Sequence, residues 1–145
     1  MSTARSAKLI VKNETTNQFF MLRALYRLTG VANQSSGWQM IKPEHDGTPV
    51  EITFPTGVTS PTCEFRLHAI KYQIAEDPAD PLAITFDGRR LVVEELFVPD
   101  KNNWFEHTLV DADNEETIEI AANFPIISIK SAGKTTVHLF RRADL

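Results

Sequence analysis

The sequence holds one cysteine, Cys63, so it can form no internal disulfide bond. Its six glycines are scattered along the chain, which excludes the glycine-rich loops that cradle phosphate groups. No window approaches the roughly 18 consecutive apolar residues of a membrane-spanning helix. The N-terminus also lacks the apolar run and cleavage site of a signal peptide. We therefore expect cytoplasmic synthesis, with any later release from the cell independent of a standard signal.

An excess of positive charge is missing as well. The formal net charge is −4 and the sequence pI is about 5.5. Because no basic block is present, we expect no nucleic-acid partner. Bulk charge would also contribute little to attraction toward an anionic membrane.

Catalytic and metal-binding motifs are absent from the sequence. No pair of histidines has the spacing of a helical or finger-type metal site, and no G-x-S-x-G nucleophile motif occurs. Cys63 lies among apolar neighbours in a predicted strand, which is typical of an inert, buried thiol. Glu94 and Glu95 are adjacent in a predicted strand, so they point to opposite faces and cannot act on one bond. We expect a protein that is not an enzyme and that holds neither a metal nor another cofactor.

What the sequence does contain is a succession of short segments with β-like alternation. They are residues 7–12, 49–54, 63–74, 82–86, 91–97, 117–121, 125–130 and 135–140. The turns at Asp87-Gly88 and Gly133 predict tight hairpins. Many short strands at a spacing of about 8–12 residues indicate an all-β sandwich or barrel. The length suits one domain over residues 1–145.

Two segments carry less regular patterns. Residues 17–30 read as a helix by propensity, but at period 2 the side chains of Phe20, Leu22 and Ala24 share one face with Tyr26. A lone helix among many strands would need its own packing site, so we favour a strand. In segment 63–74 the apolar residues change parity at Ala69-Ile70, which predicts a β-bulge or a strand that changes sheets.

Both tryptophans lie where a polar, turn-like stretch meets a strand. Trp38 comes after Gly37 and the polar run 33–36, and Trp104 comes after Asp100-Lys101-Asn102-Asn103. An indole ring favours a membrane interface or a sugar face while its N–H finds a polar partner. Lysine can meet a phosphate as a point charge. A tryptophan beside a loop is usually partly buried scaffold, but the repeated setting favours a shared binding surface.

Two stretches resemble the aegerolysins. The N-terminal third is similar to the opening of that family, with an apolar strand, a polar turn, a second apolar strand, a glycine-tryptophan step and a proline. These features are Leu9 to Val11, Asn13-Glu14-Thr15, Phe19 to Leu28, Gly37-Trp38 and Pro43. The second stretch, Phe97 to Trp104, looks like the family's aromatic-rich strand leading into a loop with lysine, asparagine and tryptophan.

The resemblance implies a single-domain β-sandwich similar to the actinoporin-like cytolysins. It also implies binding to membrane lipids, often sphingolipid headgroups, as the small targeting component of a two-component pore-forming or insecticidal system. A larger partner protein would supply the pore at the target-cell membrane. Headgroup contact would fall on Trp38, Lys101 and Trp104, with Asn102, Asn103 and Phe105 as neighbours. Because single interfacial aromatics contribute modestly, we expect assembly of several protomers on the membrane or help from the partner.

Two other classes of function use the same residues. In a lectin-like carbohydrate-binding module, a sugar ring would stack on Trp104 and bond to Asp100, Asn102 and Asn103. In a structural or assembly subunit, Trp38 and Trp104 would be buried scaffold and a strand edge would form the working surface. Competition by free oligosaccharide and the response of tryptophan fluorescence to liposomes distinguish these classes.

Overall fold

A computed structural model describes residues 5–28, 34–54, 62–99, 104–108, 116–131 and 134–142. These residues form β-strands and turns, and no helix long and apolar enough to cross a membrane occurs among them. The strands are β1 (Arg5–Asn13), β2 (Phe19–Leu28), β3 (Gln34–Ser35), β4 (Gln39–Ile41), β5 (His45–Asp46), β6 (Val50–Phe54), β7 (Thr62–Ile74), β8 (Ile84–Phe86), β9 (Arg89–Pro99), β10 (Phe105–Thr108), β11 (Glu116–Asn123), β12 (Ile126–Ser131) and β13 (Lys134–Arg142). The predicted all-β class is confirmed.

The strands hydrogen-bond into one large sheet with the order β3-β2-β7-β9-β13-β12-β11-β1-β5. Strands β4, β6, β8 and β10 attach beside β2, β1, β9 and β7, respectively. The pair β1–β11 is parallel, unlike the other pairs of described strands. Strand β13 pairs with β12 along its first part and with β9 through Phe140–Arg142, so it connects two halves of the sheet. We call β2, β3, β4, β7, β8, β9 and β10 the first half, and β1, β5, β6, β11 and β12 the second half.

A single buried cluster takes side chains from both halves. Leu22 of β2 and Leu67 of β7 lie in it beside Leu9 of β1 and Ile120 of β11, and all four are fully buried. Alternate residues of each strand enter the cluster because successive side chains point to opposite faces of a sheet. Their burial supplies the main favourable term in folding.

Strand β2 resolves the ambiguity of segment 17–30. It pairs with β7 without interruption from Phe19 to Leu28, and Phe20, Leu22, Ala24 and Tyr26 are buried as period 2 requires. The prediction of a strand is confirmed. Tertiary pairing overrides the helical propensity of these residues because the same alternation buries a whole face only in an extended chain.

An irregularity occurs beside segment 63–74, in the neighbouring strand β9. Lys71 pairs with Glu95 and Tyr72 pairs with Val93, so Glu94 is an extra residue in β9. The bulge therefore lies in β9 and not at Ala69-Ile70 of β7, where it was predicted, because β7 pairs with β2 without interruption from Cys63 to Tyr72. Strand β7 itself remains in the first half, between β2 and β9, so the alternative of a strand that changes sheets is wrong.

The hairpin at Asp87-Gly88 is confirmed. Phe86 pairs with Arg89 across the turn, and both turn residues have positive φ, 52° and 74°, as a two-residue type I′ hairpin requires. Ser131 pairs with Lys134, so β12 and β13 also form a hairpin, although residues 132–133 lie outside the described chain. The bounds of β3, β4, β5 and β10 were not predicted, because strands of two to four residues are too short to show periodicity.

Candidate functional site

Each tryptophan directly precedes a short strand of the first half. Trp38 comes before β4 and Trp104 comes before β10, which agrees with the prediction that both lie where a polar stretch meets a strand. Strand β4 pairs with β2, and β10 pairs with β7. Because β2 and β7 are neighbours, the two tryptophans flank one pair of strands. We call the side of these strands opposite the buried cluster the outer face.

Local hydrogen bonds place Trp38 on the outer face. The backbone N–H of Ser36 donates to the carbonyl oxygen of Ala24, and the N–H of Ala24 donates to Ser36 Oγ, each at 2.9 Å. Gly37 then turns the chain with φ of +75°. This turn puts the indole of Trp38 over the guanidinium of Arg23, whose Cζ lies 4.6 Å from the ring centroid. Trp38 remains 38% exposed.

Trp104 also lies on the outer face, where it precedes β10, the strand that pairs with β7. The guanidinium Cζ of Arg27 lies 4.4 Å from its ring centroid, and that of Arg66 lies 5.9 Å away. Its neighbour Phe105 pairs with Phe65 and is buried in the shared cluster, where it stacks on His138 with ring centroids 3.8 Å apart. Because successive side chains alternate, a buried Phe105 anchors β10 while Trp104 lies on the outer face.

Arg23 and Arg27 connect the two indoles. They lie four residues apart on β2, so their Cα atoms are about 13 Å apart along one face. Arg23 pairs with His68 across β7, and Arg27 pairs with Glu64, with Arg66 between these two partners. We call the resulting group the Trp–Arg surface; its members are Arg23, Arg27, Trp38, Glu64, Arg66, His68 and Trp104.

The charges of this surface are arranged by two short contacts. Arg27 donates from Nε and Nη2 to the two carboxylate oxygens of Glu64, at 3.0 and 3.3 Å. Arg23 Nη2 lies 2.9 Å from His68 Nδ1, and since a guanidinium only donates, Nδ1 must be the acceptor. Burial, together with the charges of Arg23 and Arg66, lowers the pKa of His68 to about 4. His68 is therefore neutral at physiological pH.

The structure brings only some of the predicted site residues together. Trp38 and Trp104 share the outer face, whereas Phe105 belongs to the core and its ring is not available at the surface. Lys101, Asn102 and Asn103 lie outside the described residues.

Sequence reasoning missed the three arginines of the surface. Their signal is parity: once β2 and β7 are taken as neighbouring strands, Arg23 and Arg27 share one face of β2, and Arg66 and His68 share one face of β7.

A cleft of about 880 Å³ opens at the far end of β2 and β7. Its apolar wall includes Phe19, Tyr72 and Ile74, and amide side chains of Asn17 and Gln73 also line it. Its charged groups come in both signs and include two ion pairs, Lys42–Asp87 at 3.8 Å and Lys71–Glu94 at 3.3 Å.

Exposed apolar side chains gather in two other places. Near the cleft, Ile74 and Ile84 both pair with Leu91, and Val93 lies two residues further along β9. In the second half and on β13, Ile126 pairs with Leu139, and Val137 lies beside them. Val93 and Val137 are 59% and 60% exposed. These two patches are therefore alternatives to the Trp–Arg surface as binding sites for a partner.

The remaining candidates for chemistry are accounted for among the described residues. Cys63 is fully buried, and burial raises the pKa of its thiol to about 12. No group of three or more His, Cys, Asp or Glu side chains in the described ranges is placed to hold a metal ion. The geometry of the Trp–Arg surface suits binding: two aromatic rings and several guanidinium groups face the same way.

Comparison with known proteins does not identify a family for this chain. No protein-family model matches the chain, and no curated protein sequence is similar to it at a significant level.

Proposed function

We propose that this protein recognises membrane lipids through the Trp–Arg surface. It would act as the small, aegerolysin-like targeting component of a two-component pore-forming system, at the surface of a target-cell membrane. One observation supports this proposal most directly: tryptophans from two separate loops come to lie on one face of the sheet, each against an arginine. Indoles favour the interfacial region of a bilayer, where the ring meets hydrocarbon and the N–H meets headgroups.

The fold that goes with this proposal is a β-sandwich, in which the two halves of the sheet pack face to face. The buried cluster supports it, because inward side chains of β2 and β7 share that cluster with those of β1, β11 and β12. A sandwich of this kind would dock on the bilayer without unfolding. Two indoles alone give modest affinity, so assembly on the membrane or a larger partner protein would supply the avidity.

Co-sedimentation with liposomes of varied sphingolipid, phospholipid and sterol content tests the proposal. We expect Trp38→Ala and Trp104→Ala each to reduce binding, while Val137→Ala, which truncates a more exposed apolar side chain on a different surface, leaves it unchanged. Trp104→Phe keeps an aromatic ring on Arg27 and controls for loss of stability. Binding that persists in both tryptophan variants would assign the membrane contact to another face, and no binding to any composition would refute the proposal.

The cleft favours one alternative, a carbohydrate-binding module. Its volume lies in the range of small-molecule sites, and amide and charged side chains beside aromatic rings suit a saccharide. This places the sugar at Asn17, Tyr72 and Gln73 instead of Trp104. Calorimetry with a panel of neutral oligosaccharides tests it: binding that is lost in Gln73→Ala and kept in Trp104→Phe would support the alternative, and no heat with any sugar would exclude it.

A further inference from the structure

The described side chains of the Trp–Arg surface are mostly cationic, although the chain as a whole is acidic. Its described side chains include three guanidinium groups, on Arg23, Arg27 and Arg66, against the single carboxylate of Glu64. The chain as a whole has a net charge of −4. The net charge of the whole chain does not reveal such a local cluster of positive side chains. The electrostatic potential near a surface is determined mainly by the nearest charges.

The charge of Arg23 is not neutralised by the side chain that it contacts. Its hydrogen-bond acceptor is the imidazole of His68, which is neutral, so the pair keeps a full positive charge. Glu64 is committed to Arg27 through both of its oxygens. A headgroup that approaches Trp38 therefore meets the positive charge of Arg23 directly beneath the ring.

Each of these two arginines also lies close to its indole ring. The guanidinium carbons of Arg23 and Arg27 are 4.6 and 4.4 Å from the indole centroids. An indole that rests at the boundary between headgroups and acyl chains would hold its arginine within reach of the phosphate layer. The planar fork of arginine matches phosphate oxygens and can bond two of them at once.

On this basis, and resting on the proposed function, we propose that the Trp–Arg surface selects lipids with a net anionic, phosphate-bearing headgroup over zwitterionic ones. The acidic remainder of the protein does not prevent this. Charges further from the bilayer than the Debye length, about 10 Å at 0.1 M salt, are largely screened. A basic residue near an anionic leaflet tightens binding by roughly fivefold, so the charge of Arg23 predicts a preference of about that size.

The test compares vesicles of phosphatidylcholine with vesicles that also contain phosphatidylglycerol, whose headgroup carries negative charge only on its phosphate. We expect about fivefold tighter binding to the phosphatidylglycerol vesicles and a marked loss on raising the salt concentration. Glycerol phosphate in solution serves as competitor: inhibition at millimolar concentration would assign the site to a free phosphate compound, against a lipid surface.

Variants locate the effect. Arg23→Gln should remove most of the preference for phosphatidylglycerol while leaving weak binding to phosphatidylcholine, and Arg23→Lys should restore part of it. Lys130→Gln removes one exposed positive charge from β12 and should change nothing. Circular dichroism confirms that each variant is folded, and Arg66→Gln provides a second reading if Arg23→Gln is not.

The outcomes separate this inference from the function beneath it. Equal binding to both vesicle types that is still abolished by Trp38→Ala would keep lipid recognition and overturn the anionic preference. Loss of the preference in Lys130→Gln would also overturn it, because the selectivity would then belong to another surface. Absence of binding to either vesicle type would overturn the anionic preference, and the sphingolipid and sterol vesicles described above would then decide on lipid recognition itself.

Discussion

Arg23 and Arg27 lie two pleats apart on strand β2, and each guanidinium lies against a different tryptophan. The first is 4.6 Å from the ring centroid of Trp38 and the second is 4.4 Å from that of Trp104. One strand therefore fixes the separation of two rings that arrive from separate loops.

The contact between Arg27 and Trp104 predicts protection of the indole. In Trp38→Phe protein, Trp104 is the only remaining tryptophan, so fluorescence reports on it alone. Arg27→Met in that background should raise the rate of acrylamide quenching and shift the emission to the red, because the guanidinium covers one face of the ring. Arg90→Met, at an arginine bonded to Thr85 and Asp80, is the control. Unchanged quenching in Arg27→Met would mean that the contact does not persist in solution.

Gly37 and Gly88 provide a matched pair of backbone positions. Both have positive φ, and in both cases a Cβ atom would meet nothing within 4 Å. Alanine at either position should cost about 1 kcal/mol, the strain of the left-handed region. Only Gly37→Ala should also alter the emission of Trp38 and weaken lipid binding, since Gly37 sets the direction of that side chain. Equal effects of both variants on binding would show that stability, and not the position of Trp38, is responsible.

The neutral state of His68 predicts a dependence of stability on pH. Its pKa is about 4 in the folded protein, below the ordinary value of 6.5, so the unfolded chain binds more protons between these values. Stability is therefore fully present above pH 6.5 and decreases as the pH falls toward 4. We expect a loss of about 1 kcal/mol, less than the full linkage value because the ring is only half-buried.

Urea unfolding across this pH range, with His68→Gln as the comparison, measures the effect. The variant has no titrating ring at this position, so its stability should fall less steeply below pH 6.5. Parallel pH profiles of the two proteins would contradict the neutral, arginine-flanked histidine.

Asn13 makes the largest set of buried polar contacts in the described part of the chain. Its Nδ2 donates to the carbonyl oxygens of Gln18 and Ile41, and its Oδ1 accepts from the N–H and hydroxyl of Thr15. Asn13→Ala would leave several of these groups without partners, at a cost of about 2–4 kcal/mol. Asn17→Ala, at an exposed position in the same loop, should cost little. The midpoint of urea unfolding measures both, and a similar midpoint for the two variants would contradict the network.

Much of the fold is readable from local pattern. Period-2 alternation located the longer strands, including β2. The parity change in segment 63–74 did not locate the bulge, whose extra residue belongs to β9. Asp87-Gly88 specified its own hairpin because few other residues accept positive φ at both positions. These features depend on residues close together in the chain, so the sequence carries them directly.

Strand pairing over long distances was not readable in the same way. The parallel pair β1–β11 joins residues more than a hundred positions apart. Neither segment contains a pattern that predicts pairing with the other. The short strands β3, β4, β5 and β10 exist only because a longer strand offers its edge to them. Such strands have too few residues to show a period, and their hydrogen-bond partners are set by the tertiary fold.

In the candidate site, too, local pattern predicts some features and the tertiary fold decides the others. The sequence by itself determined that Trp38 and Trp104 stand where polar stretches meet strands, and that Phe105 follows with opposite parity. Only the tertiary structure decided that β2 and β7 are neighbours, which sets Arg23 and Arg27 beneath the two indoles and brings Arg66 beside them. The physical reason is that alternation assigns each side chain to one face of its own strand, whereas strand order decides which side chains meet on that face.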